Sequence, residues 1–220
     1  MAYFQSLLAP DERERAGRFV FDYLRHWYTV SRGALRILLG RYLDTDPAGI
    51  RFEYGEKGKP RLAEKSRIRF NASHSGDLAV YAVTLHCDIG VDVERIRPLA
   101  SLHEIAARFF CAEETTELMA LPEEQREAAF FRCWTRKEAY IKAIGDGLSV
   151  PLDDFAVSLR PGEPARLVHI GHDPAAAAAW TLQNLEALSG YAAALAYRDV
   201  ERAVCVKANA GTDGTFPLFL

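Results

Sequence analysis

Asp92 and Glu94 stand two residues apart in Ile89-Gly90-Val91-Asp92-Val93-Glu94, and Glu138 and Lys142 stand four apart in Trp134-Thr135-Arg136-Lys137-Glu138-Ala139-Tyr140-Ile141-Lys142. A strand points residues i and i+2 to one side, and a helix stacks i and i+4 on one face, so each pair presents its polar groups together. Three carboxylates converging with an ammonium could hold a hard divalent cation against a diphosphate. Mg²⁺ in particular takes few carboxylates and completes its octahedron with phosphate oxygens and water. The plainer alternatives are an edge strand with its acids in water and an exposed ion pair worth only ~0.3–0.5 kcal/mol. Val91 and Val93, alternating with the acids, should face a core. Phe130, Phe131, Trp134, Ala139, Tyr140, Ile141 and Ala143 cover much of the second segment's helical circumference. That coverage predicts burial, where unpaired charge is costly and implies a partner or a ligand.

Other polar groups are less specific taken singly. Asn71-Ala72-Ser73-His74-Ser75-Gly76 offers hydroxyls, an imidazole and a glycine at a strand end, which suits a phosphate but also suits an ordinary polar turn. Lys57-Gly58-Lys59-Pro60 carries two ammonium groups on a turn and reads equally as a solvated hairpin tip. Arg32 and Arg36 form an i, i+4 pair that predicts a charged outer helix face.

The elements that must position these residues follow from periodicity. Asp11 to Leu43 reads as mostly helical, started by Pro10 and ended by Asp44-Thr45-Asp46-Pro47. Strands are predicted over 50–54, 68–72, 78–85 and 88–94, and helices over 99–110, 113–121 and 123–144. Gly145-Asp146-Gly147 stops the last of these. Further strands are expected over 155–159, 165–170, 180–185, 191–197 and 203–207, with 175–179 as a connector and a loosely held tail at 209–220. Ser75-Gly76-Asp77-Leu78 finds an echo in Ser189-Gly190-Tyr191-Ala192. Helices and strands in both halves then suggest an α+β protein of two similar pseudo-twofold-related lobes, residues 1–98 and 99–208, each a small mainly antiparallel sheet packed with helices.

Composition narrows the class. At 220 residues, 49% hydrophobic and 26% charged, the chain is ordinary for a folded globular protein, and a net charge of −3 argues against a partner built of nucleic-acid phosphates. Cys87, Cys111, Cys133 and Cys205 have no C-x-x-C spacing and read as reduced core thiols. With no basic n-region before an apolar run and no apolar stretch of spanning length, neither a leader nor a membrane is expected, and the cytoplasm is the expected location.

Taken in order, Lys57-Gly58-Lys59-Pro60, Phe70-Asn71-Ala72-Ser73-His74-Ser75-Gly76, Ile89 to Glu94, Phe109-Phe110-Cys111-Ala112-Glu113-Glu114, Phe131 to Ala143 and Gly145-Asp146-Gly147-Leu148 resemble the Sfp-type 4′-phosphopantetheinyl transferases. The resemblance spans roughly residues 11–157. It implies a monomeric enzyme that moves the 4′-phosphopantetheine arm of coenzyme A onto a serine of an apo acyl or peptidyl carrier protein and releases 3′,5′-ADP. Carried over by motif, Asp92, Glu94 and Glu138 become Mg²⁺ ligands, Lys142 meets the α-phosphate, and Ser73, His74, Lys57 and Lys59 approach the coenzyme's phosphates. Arg32 is a further candidate for the 3′-phosphate. Where some members carry lysines near the N-terminus, this chain has Asp11-Glu12-Arg13-Glu14-Arg15, and Glu114 matches an acidic position of the family. Asp92, Glu138 and Lys142 would carry the chemistry. An acidic carrier helix would dock near Arg108, Phe109, Phe110, Met119, Arg132 and Arg136. Two other functions fit the same residues: a non-catalytic module that binds coenzyme A or a carrier protein, and a Mg²⁺-dependent nucleotide hydrolase.

Overall fold

The computed structural model describes residues 1–145, 150–186, 189–208 and 218–219. Its contacts divide into two compact units, Met1–Tyr54 with Pro60–Ser66, and Gly55–Lys59 with Arg67 onward.

The first unit holds α1 (Ala2–Leu7), α2 (Pro10–Gly17), α3 (Asp22–Leu43) and the antiparallel pair β1 (Phe52–Tyr54) and β2 (Pro60–Leu62). The span expected to be mostly helical, 11–43, is helical apart from a break at Arg18–Phe21. Pro10 opens α2 with its missing N–H where no intrahelical bond is needed, and the Glu12 carboxylate accepts from Ala9 N at 2.9 Å. α3 buries Ala34, Leu35, Leu38 and Leu39. Arg36 shares that buried face, which corrects the expectation of a charged outer surface. Its Nε meets Glu12 Oε2 at 2.7 Å and its Nη1 donates to Pro47 O and Ile50 O, both at 2.9 Å. Arg32 pairs with the other oxygen of Glu12, donates to the Tyr54 hydroxyl and lies 4.4 Å over the Phe52 ring.

In the second unit, β3 (Arg69–Ser75) and β4 (Leu78–Thr84) form a hairpin in which Ser75 pairs with Leu78 across a two-residue turn. Gly76 supplies the positive φ (55°) that such a turn requires. β5 (Ile89–Arg95) pairs antiparallel with β9 (Tyr191–Tyr197), which pairs in turn with β8 (Thr181–Asn184). The contacts therefore do not divide near Pro98, because ladder hydrogen bonds bind β5 to a strand from the other expected lobe. The echo between the two Ser-Gly segments is visible locally: each opens a seven-residue strand of an antiparallel pair.

The helices are α4 (Leu102–Phe109), α5 (Ala112–Met119), α6 (Glu123–Ile144) and the short α7 (Pro174–Ala177), where a connector was expected. β6 (Phe155–Val157) pairs with β7 (Leu167–Ile170). β10 (Lys207–Ala208) pairs with β11 (Leu218–Phe219), which lies parallel to β4, so part of the expected tail is in a sheet. The rest of that tail, and Asp146-Gly147-Leu148, lie outside the described residues. Gly145 ends α6 in the left-handed region, its N–H bonded to Ile141 O at 3.0 Å.

α6 packs its Ala139–Ala143 stretch onto β5 and β9, with Phe130, Phe131, Tyr140 and Ile141 in the core. Gly90 makes this possible: a Cβ there would sit 2.1 Å from Ala139 O and 2.3 Å from Ala143 N. Buried Val91 and Val93 fill the neighbouring cluster with Leu78, Val80 and Leu195. No cysteine is disulfide-bonded among the described residues; Cys133 is buried, whereas Cys205 is exposed rather than in the core. Among the described residues no helix is long and apolar enough to cross a membrane.

Candidate active site

β5 has one edge on β9, so alternate amides point the other way, toward β3. There they meet side chains. Val91 N donates to Asn71 Oδ1 (2.9 Å), Val93 N to Ser73 Oγ (3.3 Å) and Arg95 N to Ser75 Oγ (3.1 Å). Asn71, Ser73 and Ser75 thus replace a backbone ladder with a side-chain ladder, possible because i, i+2 and i+4 of a strand share a face. The same hydroxyls orient the acids: Ser73 Oγ donates to Asp92 Oδ1 at 2.8 Å and Ser75 Oγ to Glu94 Oε2 at 2.7 Å. Asn71 and Ser75 were not singled out as site residues from the sequence. Their signal was the alternation of Asn, Ser and Ser.

From α6, Lys142 Nζ reaches Asp92 Oδ1 at 2.6 Å and Ser73 Oγ at 3.0 Å. Asp92 is 3% exposed, and its second oxygen, Oδ2, is buried with no hydrogen-bond partner among the described residues. Burial pushes the Asp92 carboxyl above its ordinary range, against the pull of the Lys142 ammonium and the Ser73 hydroxyl. Glu138, half-buried one turn before Lys142, is also pushed up, first by burial and then by the Asp92 charge, with Glu94 adding to it. The three acids thus lie within electrostatic reach of one another. They are not gathered into a finished cage: no group of three His, Cys, Asp or Glu side chains among the described residues is set to hold a metal ion. The donor types nonetheless fit a hard divalent cation: Asp92 offers a buried oxygen without a hydrogen-bond partner among the described residues, and the half-exposed Glu94 and Glu138 lie within electrostatic reach of it.

Of the expected phosphate ligands, His74 is exposed at its rim. Crowding around its ring, and then the Lys142 ammonium, hold its pKa below the usual imidazole value. Ser73 is committed to Asp92, Lys142 and Val93. Lys57 is exposed, but Lys59 Nζ donates to Lys142 O (2.6 Å), Ala143 O (2.9 Å) and Ile89 O (3.2 Å). Arg32 belongs to the first unit and is engaged there by Glu12 and Tyr54.

The docking patch expected around Arg108 and Arg136 is corrected. Arg136 is fully buried, with Nε and Nη2 on Asn184 Oδ1 at 3.1 and 3.0 Å, and Phe110 is core. Arg132 is half-buried on Leu159 O at 2.8 Å, and of the patch only Arg108 is exposed. Lys137, inside the same motif, is also buried. It pairs with Glu114 Oε2 at 2.7 Å and donates to Leu152 O (2.7 Å) and Phe155 O (2.5 Å), while Glu114 Oε1 accepts from Val157 N at 2.8 Å. This pair fastens α5 and α6 to the segment entering β6.

Residues 88–196 match the model of the 4′-phosphopantetheinyl transferase superfamily, and residues 1–86 match that of the 4′-phosphopantetheinyl transferase N-terminal region. The chain is 43% identical over 181 residues to the 4′-phosphopantetheinyl transferase HetI of Nostoc sp., covering 81% of this chain and 73% of that protein. It is 35% identical over 156 residues to the 4′-phosphopantetheinyl transferase Sfp of Bacillus subtilis, covering 71% and 68%. A solved holo-[acyl-carrier-protein] synthase of Thermotoga maritima superposes with a TM-score of 0.37 at 17% identity, over 56% of this chain and 69% of that one, a likeness too slight to carry weight. With an acidic pair on β5, an acid and a lysine on α6 and these relatives across most of its length, the chain belongs to the 4′-phosphopantetheinyl transferase family.

Proposed function

We propose that the protein transfers the 4′-phosphopantetheine arm of coenzyme A to a serine of an apo acyl or peptidyl carrier protein, releasing 3′,5′-ADP, with Mg²⁺ held by Asp92, Glu94 and Glu138. The observation that carries the metal assignment is the buried Oδ2 of Asp92, which has no hydrogen-bond partner among the described residues while the other oxygen is fixed by Lys142 and Ser73. An isolated buried acceptor of this kind costs stability unless something fills it. When bound, Mg²⁺ neutralises the diphosphate oxygens and the charge that grows on them in the transition state.

The chain's own groups do the rest. The carrier's serine oxygen attacks the phosphorus bearing pantetheine, a new P–O bond forms, and the bond to the nucleotide phosphate breaks. Glu138, one turn from Lys142 on the same face of α6, is the group placed to take the serine proton. Lys142, oriented by Asp92 and Ser73, donates to the departing phosphate and offsets its charge. His74 and Lys57 supply further donors to the coenzyme's phosphates from the surface. The protein acts as a monomer in the cytoplasm, consistent with its unpaired thiols, and needs neither membrane nor nucleic acid.

Incubation with coenzyme A, Mg²⁺ and a panel of apo carrier proteins, followed by intact-mass spectrometry, tests this reading. The expected result is a carrier heavier by one phosphopantetheine arm, dependent on the divalent ion. Phosphopantetheine released without any carrier would identify a hydrolase instead. Coenzyme A retained with no carrier modified would identify a binding module.

A further inference from the structure

Lys59 was expected at the coenzyme's phosphates, yet an ammonium has three donors, and here each has a carbonyl: Lys142 O, Ala143 O and Ile89 O. The last carbonyls of a helix have no intrahelical donor, and a cation there also meets the negative end of the helix dipole. α6 ends at Ile144, and the Gly145 amide takes Ile141 O, so Lys59 takes the next two carbonyls in line. Its third bond goes to the first residue of β5. The turn that delivers it is closed by Gly55 N to Lys59 O (3.0 Å) and Gly58 N to Gly55 O (2.8 Å), with Gly58 at φ 81°.

We infer that Lys59 is a positioning residue: a single ammonium ties the end of α6, which carries Lys142 and Glu138, to the start of β5, which carries Asp92 and Glu94. This rests on the transfer reaction proposed above but assigns Lys59 to alignment of the reacting groups and not to coenzyme affinity. Gly90 brings the same two elements into backbone contact, and Lys59 closes the end of that contact where α6 would otherwise fray. Misalignment of groups that act only in the transition state lowers kcat, whereas a lost phosphate contact raises KM.

Three measurements test the inference. Lys59→Met keeps the aliphatic stem and deletes the three donors. Its kcat for carrier modification is expected to fall about tenfold or more with KM for coenzyme A within about twofold, and Lys59→Arg is expected to recover part of the loss. Lys57→Met, by contrast, is expected to raise KM with little change in kcat. In the unmodified protein, amine acetylation read by mass spectrometry should find Lys59 slow to react with or without coenzyme A. A Lys59→Met variant with raised KM and normal kcat would overturn the inference. So would a Lys59 amine that reacts freely and becomes protected only when coenzyme A is added. The acetylation result decides the matter even if the variant fails to fold. Absence of transfer by the unmodified protein would count against the proposed reaction, leaving the acetylation pattern to judge Lys59 by itself.

Discussion

The ammonium of Lys142 lies 2.6 Å from Oδ1 of Asp92, a residue 50 positions away in the chain, and Oδ2 of the same carboxylate is left without a partner among the described residues. One oxygen anchors the side chain and the other is presented. Asp92→Asn separates these roles, since its amide can keep an oxygen toward Lys142 but places a nitrogen donor where a cation needs an acceptor. Transfer is expected to fall at least about 100-fold, with the unfolding midpoint little changed. Steady-state kinetics and urea unfolding check this together. Near-normal transfer at saturating Mg²⁺ would remove Asp92 from the metal site.

Glu138 gives a pH signature in metal-free buffer. Its folded-state pKa is raised above the ordinary 4.5 by burial and by the neighbouring acids. The folded protein therefore holds this proton more tightly than the unfolded chain, and stability declines as pH rises from 4.5 through the folded value. Glu138→Gln lacks this titration. Its stability advantage over the unmodified protein should grow across that window and level off above it. Urea midpoints measured at several pH values with a chelator present would show the trend, and a pH-independent difference would count against it.

Gly90→Ala would place a methyl 2.1 Å from Ala139 O and 2.3 Å from Ala143 N, both backbone atoms of α6. Since neither can rotate away, the helix must shift as a body. A loss of about 3 kcal/mol is expected, together with loss of transfer because Glu138 and Lys142 move with the helix. Equilibrium unfolding and activity measured on the same preparation separate this from a purely local effect, in which activity would survive.

Lys137→Met would leave Glu114 buried and unpaired. Removing one partner of such a pair costs about 3–5 kcal/mol, whereas replacing both costs far less. The double variant Lys137→Met, Glu114→Gln is therefore expected to be more stable than Lys137→Met alone. Thermal unfolding of the single and double variants decides it, and additive losses would contradict the pairing.

Ser75→Ala removes the hydroxyl that donates to Glu94 at 2.7 Å and accepts from Arg95 N. Groups that orient a metal ligand commonly matter by about tenfold or more in affinity. Mn²⁺ titration by calorimetry should show binding weakened by about tenfold, with the same stoichiometry. Unchanged affinity would mean that Glu94 is aimed by the strand alone.

Local periodicity was enough to group the residues proposed to carry the chemistry. The spacing of Asp92 and Glu94 placed them together on a strand, the spacing of Glu138 and Lys142 placed them on one helix face, and α6 runs over Glu123–Ile144 as its apolar pattern indicates. These properties depend on backbone repeat alone, which a linear pattern records. Destinations of long charged side chains are not local. Arg36, Arg136 and Lys59 each read as surface cations in the linear pattern, and Lys137 carries no signal of its own. Instead they reach carbonyls or carboxylates that only chain folding brings near, and Arg36, Arg136 and Lys137 are fully buried as a result. The pairing of β5 with β9 is of the same kind, because two strands a hundred residues apart leave no periodic trace of each other. Sequence thus determined which groups could act. The folded chain decided which cations meet solvent and which are consumed in tying its elements together, because a buried cation is costly unless its donors find acceptors.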